Sequence, residues 1–144
     1  MAMKTYDCAP TLNDEQVIEF CAKGFLMLEG IVPDEINRKT VEFMDAHPSG
    51  QPDRILFEDW FVDNVILHPR SAGAVRSLLG GDFRLPNLMA NHRVQCPQPA
   101  QEWHSDGGSR YGPQLDYLQE STTRKPARWR WVRQSCCRAL TFCS

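Results

Sequence analysis

A break in composition near residue 120 divides this 144-residue chain into two parts that do not share one pattern of burial. Residues 1–119 carry 10 Lys/Arg against 17 Asp/Glu, a net charge of −7, whereas residues 120–144 carry 6 Lys/Arg against Glu120 alone, a net of +5. The second part also holds two of the four Trp and three of the six Cys. A shift that sharp marks a boundary. Regular folding is therefore expected in residues 12–119. Residues 120–144 read as an aberrant, poorly ordered basic tail without strand alternation.

The length suits one domain with a core of its own. No run of 18 apolar residues is present, so no membrane span is expected. The first residues, Met1 to Asp7, lack an apolar signal core. Six cysteines in that setting read as reduced thiols, and the cytoplasm is the expected location.

The punctuation of residues 12–119 predicts an α+β segment. Asn13 and Gln16 make a capping box, and Gly24 ends that helix, whose apolar residues Val17, Ile18, Phe20 and Cys21 are expected to cluster on one side. Phe25 to Gly30 reads as a short buried strand. Pro33, Asp34 and Glu35 open a second helix with the stripe Ile36, Phe43, Met44 and His47, where His47 is a helix-end residue. His68-Pro69-Arg70 turns into a third helix over 71–79, closed by Gly80-Gly81. Phe83 to Val94 reads as a strand with Leu88, Ala90, His92 and Val94 on one face and Met89, Asn91 and Arg93 on the other. Gln101 to His104 returns as a further strand after the turn at Pro97–Ala100.

The stretch Trp103-His104-Ser105-Asp106 carries the chemistry. A His and a carboxylate two residues apart at a strand end can both turn toward one cation. They make two thirds of the 2-His-1-carboxylate triad that holds non-haem Fe(II) with open positions. The spacing alone is also compatible with a plain surface turn, since Ser105-Asp106-Gly107-Gly108-Ser109 is good turn chemistry. On the metal reading, Trp103 is buried and Gly107 or Gly108 takes a left-handed conformation. His104 and Asp106 then converge to within about 5 Å, close enough to share a cation.

Four stretches, in order, resemble the phytanoyl-CoA dioxygenase family of Fe(II)/2-oxoglutarate-dependent oxygenases. They are Phe20 to Pro33, His68 to Leu85, Leu88 to Gln98, and Gln101 to Asp106. The resemblance implies a double-stranded β-helix, a cupin-like jelly roll with N-terminal helices packed on the sheet, here incomplete. It implies Fe(II) held by His104 and Asp106, with 2-oxoglutarate as co-substrate and ascorbate as a reductant. Asn91 and Arg93 are candidates for contacting the co-substrate. The implied reaction is hydroxylation of a small-molecule or acyl-CoA-like substrate in the full-length form.

The chain departs from the family where it matters most. The family's second metal His lies on a later strand, often in a Pro-Gly-Ser-His context, with a basic clamp for 2-oxoglutarate beyond it. Here His104 is the last of four histidines. Back-translation from Glu120, read two bases later, permits Met-Gly-Pro-Thr and then Pro-Gly-Ser-His. Part of this is forced: Trp131-Val132 must give Gly in that frame, and Cys136-Cys137 must give Leu. The tail is therefore expected to be out of frame. The chain as given is expected to be a truncated, inactive dioxygenase that folds into an open, marginally stable half-barrel.

Two other function classes bear on the tail. The tail, with Trp129 and Trp131 among arginines, suits a binding protein that contacts nucleic acid or acidic membrane by stacking and charge. An accidental basic tail accounts for the same composition, so no nucleic-acid partner is expected. A zinc site from Cys136, Cys137, Cys143 and His104 is disfavoured because adjacent cysteines cannot form the usual Cys-x-x-Cys knuckle. The frame reading predicts that the nucleotide sequence across codons 118–122 continues, two bases on, into an open frame encoding Pro-Gly-Ser-His; a gene without that continuation refutes it.

Overall fold

The structure, a computed structural model, describes residues 5–91, 115, 117–123 and 139–143. It is a mixture of helix and sheet. In chain order the elements are β1 (Thr5–Tyr6), α1 (Asp14–Lys23), β2 (Phe25–Glu29) and α2 (Asp34–Ala46). A 3₁₀ turn (Asp53–Phe57) follows, then α3 (Asp59–Phe61), which continues as a π turn (Val62–Ile66). The remaining elements are α4 (Pro69–Leu79), β3 (Phe83–Arg84), β4 (Gln119–Thr123) and β5 (Ala139–Cys143). No helix among the described residues is long and apolar enough to cross a membrane.

Helix α1 starts and stops where local chemistry dictates. The Asn13 Oδ1 accepts from the Gln16 amide at 2.9 Å, and the Gln16 Oε1 accepts from the Asn13 amide at 3.1 Å. Two orphan donors of the first turn are thereby satisfied. At the other end Gly24 takes φ 79°, a left-handed conformation, and its amide reaches the Phe20 carbonyl at 2.8 Å. The turn leads directly into β2. There Leu26 and Leu28 alternate into the core while Glu29 stays out. The apolar face expected on α1 needs correction. Phe20 is fully buried and Val17 half-buried, but Ile18 and Cys21 are exposed. Residues two apart on a helix lie nearly opposite one another, so Ile18 cannot share the face of Phe20.

One core cluster joins these elements. It contains Phe20, Leu26, Leu28, Ile31, Val32, Met44, Ile55, Phe61, Val65 and Ala74. Helix α2 contributes Met44, with Ile36 and Phe43 packed alongside. Asn37 is buried on the same helix, and its Nδ2 donates to the Val32 carbonyl at 3.2 Å. Residues 53–66 supply Ile55, Phe61 and Val65 through short, irregular turns that the sequence pattern does not announce.

Helix α4 has a face of small residues. Ser71, Ala72, Gly73 and Ala74 are all buried. His68 caps this helix, its Nδ1 accepting from the Arg70 amide at 3.3 Å, and Pro69 occupies the first turn. The N-terminal segment lies across the small face. The Thr11 amide reaches the Gly73 carbonyl at 3.2 Å and the Ser77 Oγ at 3.0 Å, and the Leu12 amide reaches the same Oγ at 3.1 Å. A Cβ on Gly73 would sit 2.7 Å from the Thr11 Oγ1 and 2.9 Å from the Ala9 carbonyl oxygen. Glycine is required here by proximity, not by φ.

Strand β3 is much shorter than the expected run from Phe83 to Val94. It ends at Arg84 and pairs antiparallel with β1, where Tyr6 meets Phe83 edge to face at 5.7 Å. Pro86 has no amide to give a ladder. Beyond it the Met89 amide donates to the Asp53 Oδ1 at 2.6 Å and the Asn91 amide to the Gly50 carbonyl at 3.0 Å. Those donors serve loops, so no ladder forms. The expected alternation of faces persists: Met89 and Asn91 are half-buried, Leu88 and Ala90 exposed. His92, Val94 and the Gln101–His104 strand lie outside the described residues.

The second sheet is parallel, in the order β2-β5-β4, with Phe25 and Gln119 both in register with Ala139. Two segments of the region expected to be a tail without strands, 120–123 and 139–143, are therefore strand. A backbone ladder depends on extended conformation and period-2 spacing, and Ala-Leu-Thr-Phe-Cys offers both whatever its flanks carry. Gly73→Ala should lower stability by about 1–3 kcal/mol through overpacking. Gly50→Ala, with nothing within 4 Å of the added carbon, should change it by less than about 0.5 kcal/mol. Urea midpoints at constant slope measure both.

Candidate metal site

Of the residues singled out for metal and co-substrate, the structure places Asn91. His104, Asp106 and Arg93 lie outside the described residues, as do Trp103, Gly107 and Gly108. Asn91 is half-buried and tied to Gly50 through its amide. It lines an open cavity of about 280 Å³ together with Met44, Asp45, Pro48, Ser49 and Gly50. The depression lies beside the C-terminal end of α2, where the chain turns through Pro48–Gly50. A neighbouring depression of about 220 Å³, formed by Phe43, His47, Gln51, Pro52 and Arg54, shares Pro48 and Ser49 with it.

The other described histidines have structural duties. The His47 ring stacks on Phe43 with centroids 4.4 Å apart, and its Nδ1 faces the Phe43 carbonyl at 3.0 Å. His68 uses its Nδ1 as a helix cap. Among the described residues, no group of three or more His, Cys, Asp and Glu side chains could hold a metal ion. The donor set that the sequence offers for Fe(II) is thus one imidazole and one carboxylate. His47 and His68 are engaged through their Nδ1 atoms, and His92 lies outside the described residues. A facial triad needs three protein donors, and the described residues hold no such set.

A carboxyl group that the sequence does not advertise stands out instead. Glu120 opens the tail region, between Gln119 and Ser121. On β4 its Oε1 accepts from the buried Ser71 hydroxyl of α4 at 3.1 Å. Burial pushes its pKa up from the usual carboxylate range to about 8, although the Ser71 hydrogen bond acts in the opposite direction. Nothing in the local sequence signals this, because burial of the side chain depends on segments distant in the chain, α4 among its neighbours.

No family model matches the chain, and no curated protein or solved structure gives a significant match. Metal binding by this chain should depend on the Trp-His-x-Asp stretch alone. His104→Ala and Asp106→Ala should each weaken Co(II) or Fe(II) binding at least about tenfold, and His47→Ala and His68→Ala should leave it unchanged, as read by calorimetry or Co(II) absorption.

Proposed function

We propose that this chain carries part of an Fe(II)/2-oxoglutarate-dependent dioxygenase site of the phytanoyl-CoA dioxygenase type, and that the 144 residues as given turn over little. The observation that carries the proposal is Trp103-His104-Ser105-Asp106, preceded in order by three further stretches with the same resemblance. The boundaries of α1, β2, α2 and α4 support it, since a capped helix, a Gly-Phe strand and two further helices precede residue 80 as the resemblance implies. Bound together, iron and 2-oxoglutarate supply an oxidant able to hydroxylate an unactivated C–H bond.

The roles left to this chain's residues are limited. His104 and Asp106 offer two donors, enough for weak binding of a divalent cation. Arg93, as a fixed cation with a planar donor fork, suits a carboxylate of the co-substrate, and Asn91 suits a neutral contact to it. The substrate is a small molecule or acyl-CoA-like thioester. Residues 120–144 contain no histidine to act as the family's second metal ligand, and on the shifted-frame reading its co-substrate clamp is lost with it.

Succinate release from 2-oxoglutarate, with Fe(II) and ascorbate, tests this. The chain as given should stay at background. A version whose residues after Glu120 follow the shifted reading should exceed it by at least about a hundredfold, a margin of about 2.7 kcal/mol in barrier height, and should lose that gain in His104→Ala. Strong His104-dependent turnover by the unaltered chain would contradict the inactivity, and a restored version that binds metal yet releases no succinate would contradict the oxygenase assignment.

A further inference from the structure

The Ser71–Glu120 pair joins two parts of the molecule that are otherwise distinct in composition. Ser71 is 1% exposed in the small-residue face of α4. Its hydroxyl donates to the Glu120 carboxyl at the start of β4, across 49 positions of sequence. The charges of the surrounding elements are directed elsewhere. On α4, the Arg70 Nη1 donates to the Glu29 carbonyl at 3.2 Å and the Arg76 Nε pairs with Asp7 at 2.6 Å. On β2 the sole charged residue is the exposed Glu29, and β5 carries none. Asp63, in the π turn that packs on α4, is exposed. The half-buried carboxyl thus has a hydroxyl partner and, among the described residues, no cation.

We propose that the Ser71–Glu120 contact is a proton-dependent latch that holds β4, and through it β5, against α4. A neutral carboxyl tolerates that position and can itself donate a hydrogen bond. A carboxylate there is desolvated with only one neutral donor to compensate, which costs more than leaving it in water. Burial accordingly pushes Glu120 up to about 8. The sign follows from linkage. The docked state binds the proton more tightly than the undocked state, so docking is strongest below the ordinary carboxylate value. It weakens as pH rises and levels off once Glu120 is ionised in both states, above about 8. The device operates through the neutral range, where an ordinary glutamate is already fully charged.

Hydrogen exchange of the intact chain, corrected for the intrinsic pH dependence of exchange, reads the latch directly. Protection of the β4 amides should fall by up to about tenfold per pH unit between pH 5 and 8, then level off. Glu120→Gln should abolish that dependence while keeping the protection seen at pH 5. Removing the hydroxyl in Ser71→Ala should move the inflection upward, since the Ser71 bond favours the charged form. A carboxyl-carbon NMR titration of the unaltered chain gives an answer independent of any variant. An inflection near 8 supports the latch. A Glu120 that titrates in the ordinary carboxylate range, or a Glu120→Gln chain with unchanged pH dependence, overturns it.

Discussion

The close approach of backbone and side chains to the small face of α4 is the contact on which much of the described structure depends. Ser71, Ala72, Gly73 and Ala74 project too little to hold neighbours away. The N-terminal segment therefore reaches the Gly73 carbonyl and the Ser77 hydroxyl on one side, while Glu120 reaches Ser71. Ala74 also belongs to the core cluster that includes Phe20 and Phe61. One helix face thus fixes the start of the chain, the core and β4. Larger side chains there would separate all three, because close-packed interiors have little room to absorb added atoms.

The local elements around α4 are held differently. Helix α1 and β2 meet through a capping box at one end and a left-handed glycine at the other, both short-range devices. Phe20 then buries against the leucines of β2. Residues 53–66 show the opposite case. Their 3₁₀ and π turns are poor in local order, yet they supply Ile55, Phe61 and Val65 to the centre. Packing, not propensity, keeps them in place.

The candidate site shows the same division between local and distant causes. Residues for a metal can be picked out by type and spacing at His104 and Asp106, and Asn91 is placed on a half-buried segment beside the Pro48–Gly50 turn. What turns two donors into a centre is a third from elsewhere in the fold, and the described histidines His47 and His68 serve a ring stack and a helix cap. Glu120 is the reverse. Its residue type is ordinary for a surface and its neighbours are polar, but its environment changes its chemistry.

What the sequence by itself determined are the features whose causes lie within a few residues. The start and stop of α1 followed from Asn13, Gln16 and Gly24, the opening of α2 from Pro33 and its acids, and that of α4 from His68-Pro69. Each is a backbone donor or acceptor satisfied by a neighbour in the chain, so spacing suffices to find it. Tertiary structure alone decided the rest. The run after Phe83 had the alternation of a strand, but its amides went to Asp53 and Gly50 instead of a partner strand. Ile18 lay in an apolar stretch, but only the position of β2 determined which side of α1 was inside. The strand at 139–143 pairs with β4 and with β2, the latter more than a hundred positions away, and burial that exists only after folding pushes the Glu120 pKa up. Ladder partners, burial and the electrostatic cost of a buried charge depend on what lies across space, and sequence spacing does not contain that information.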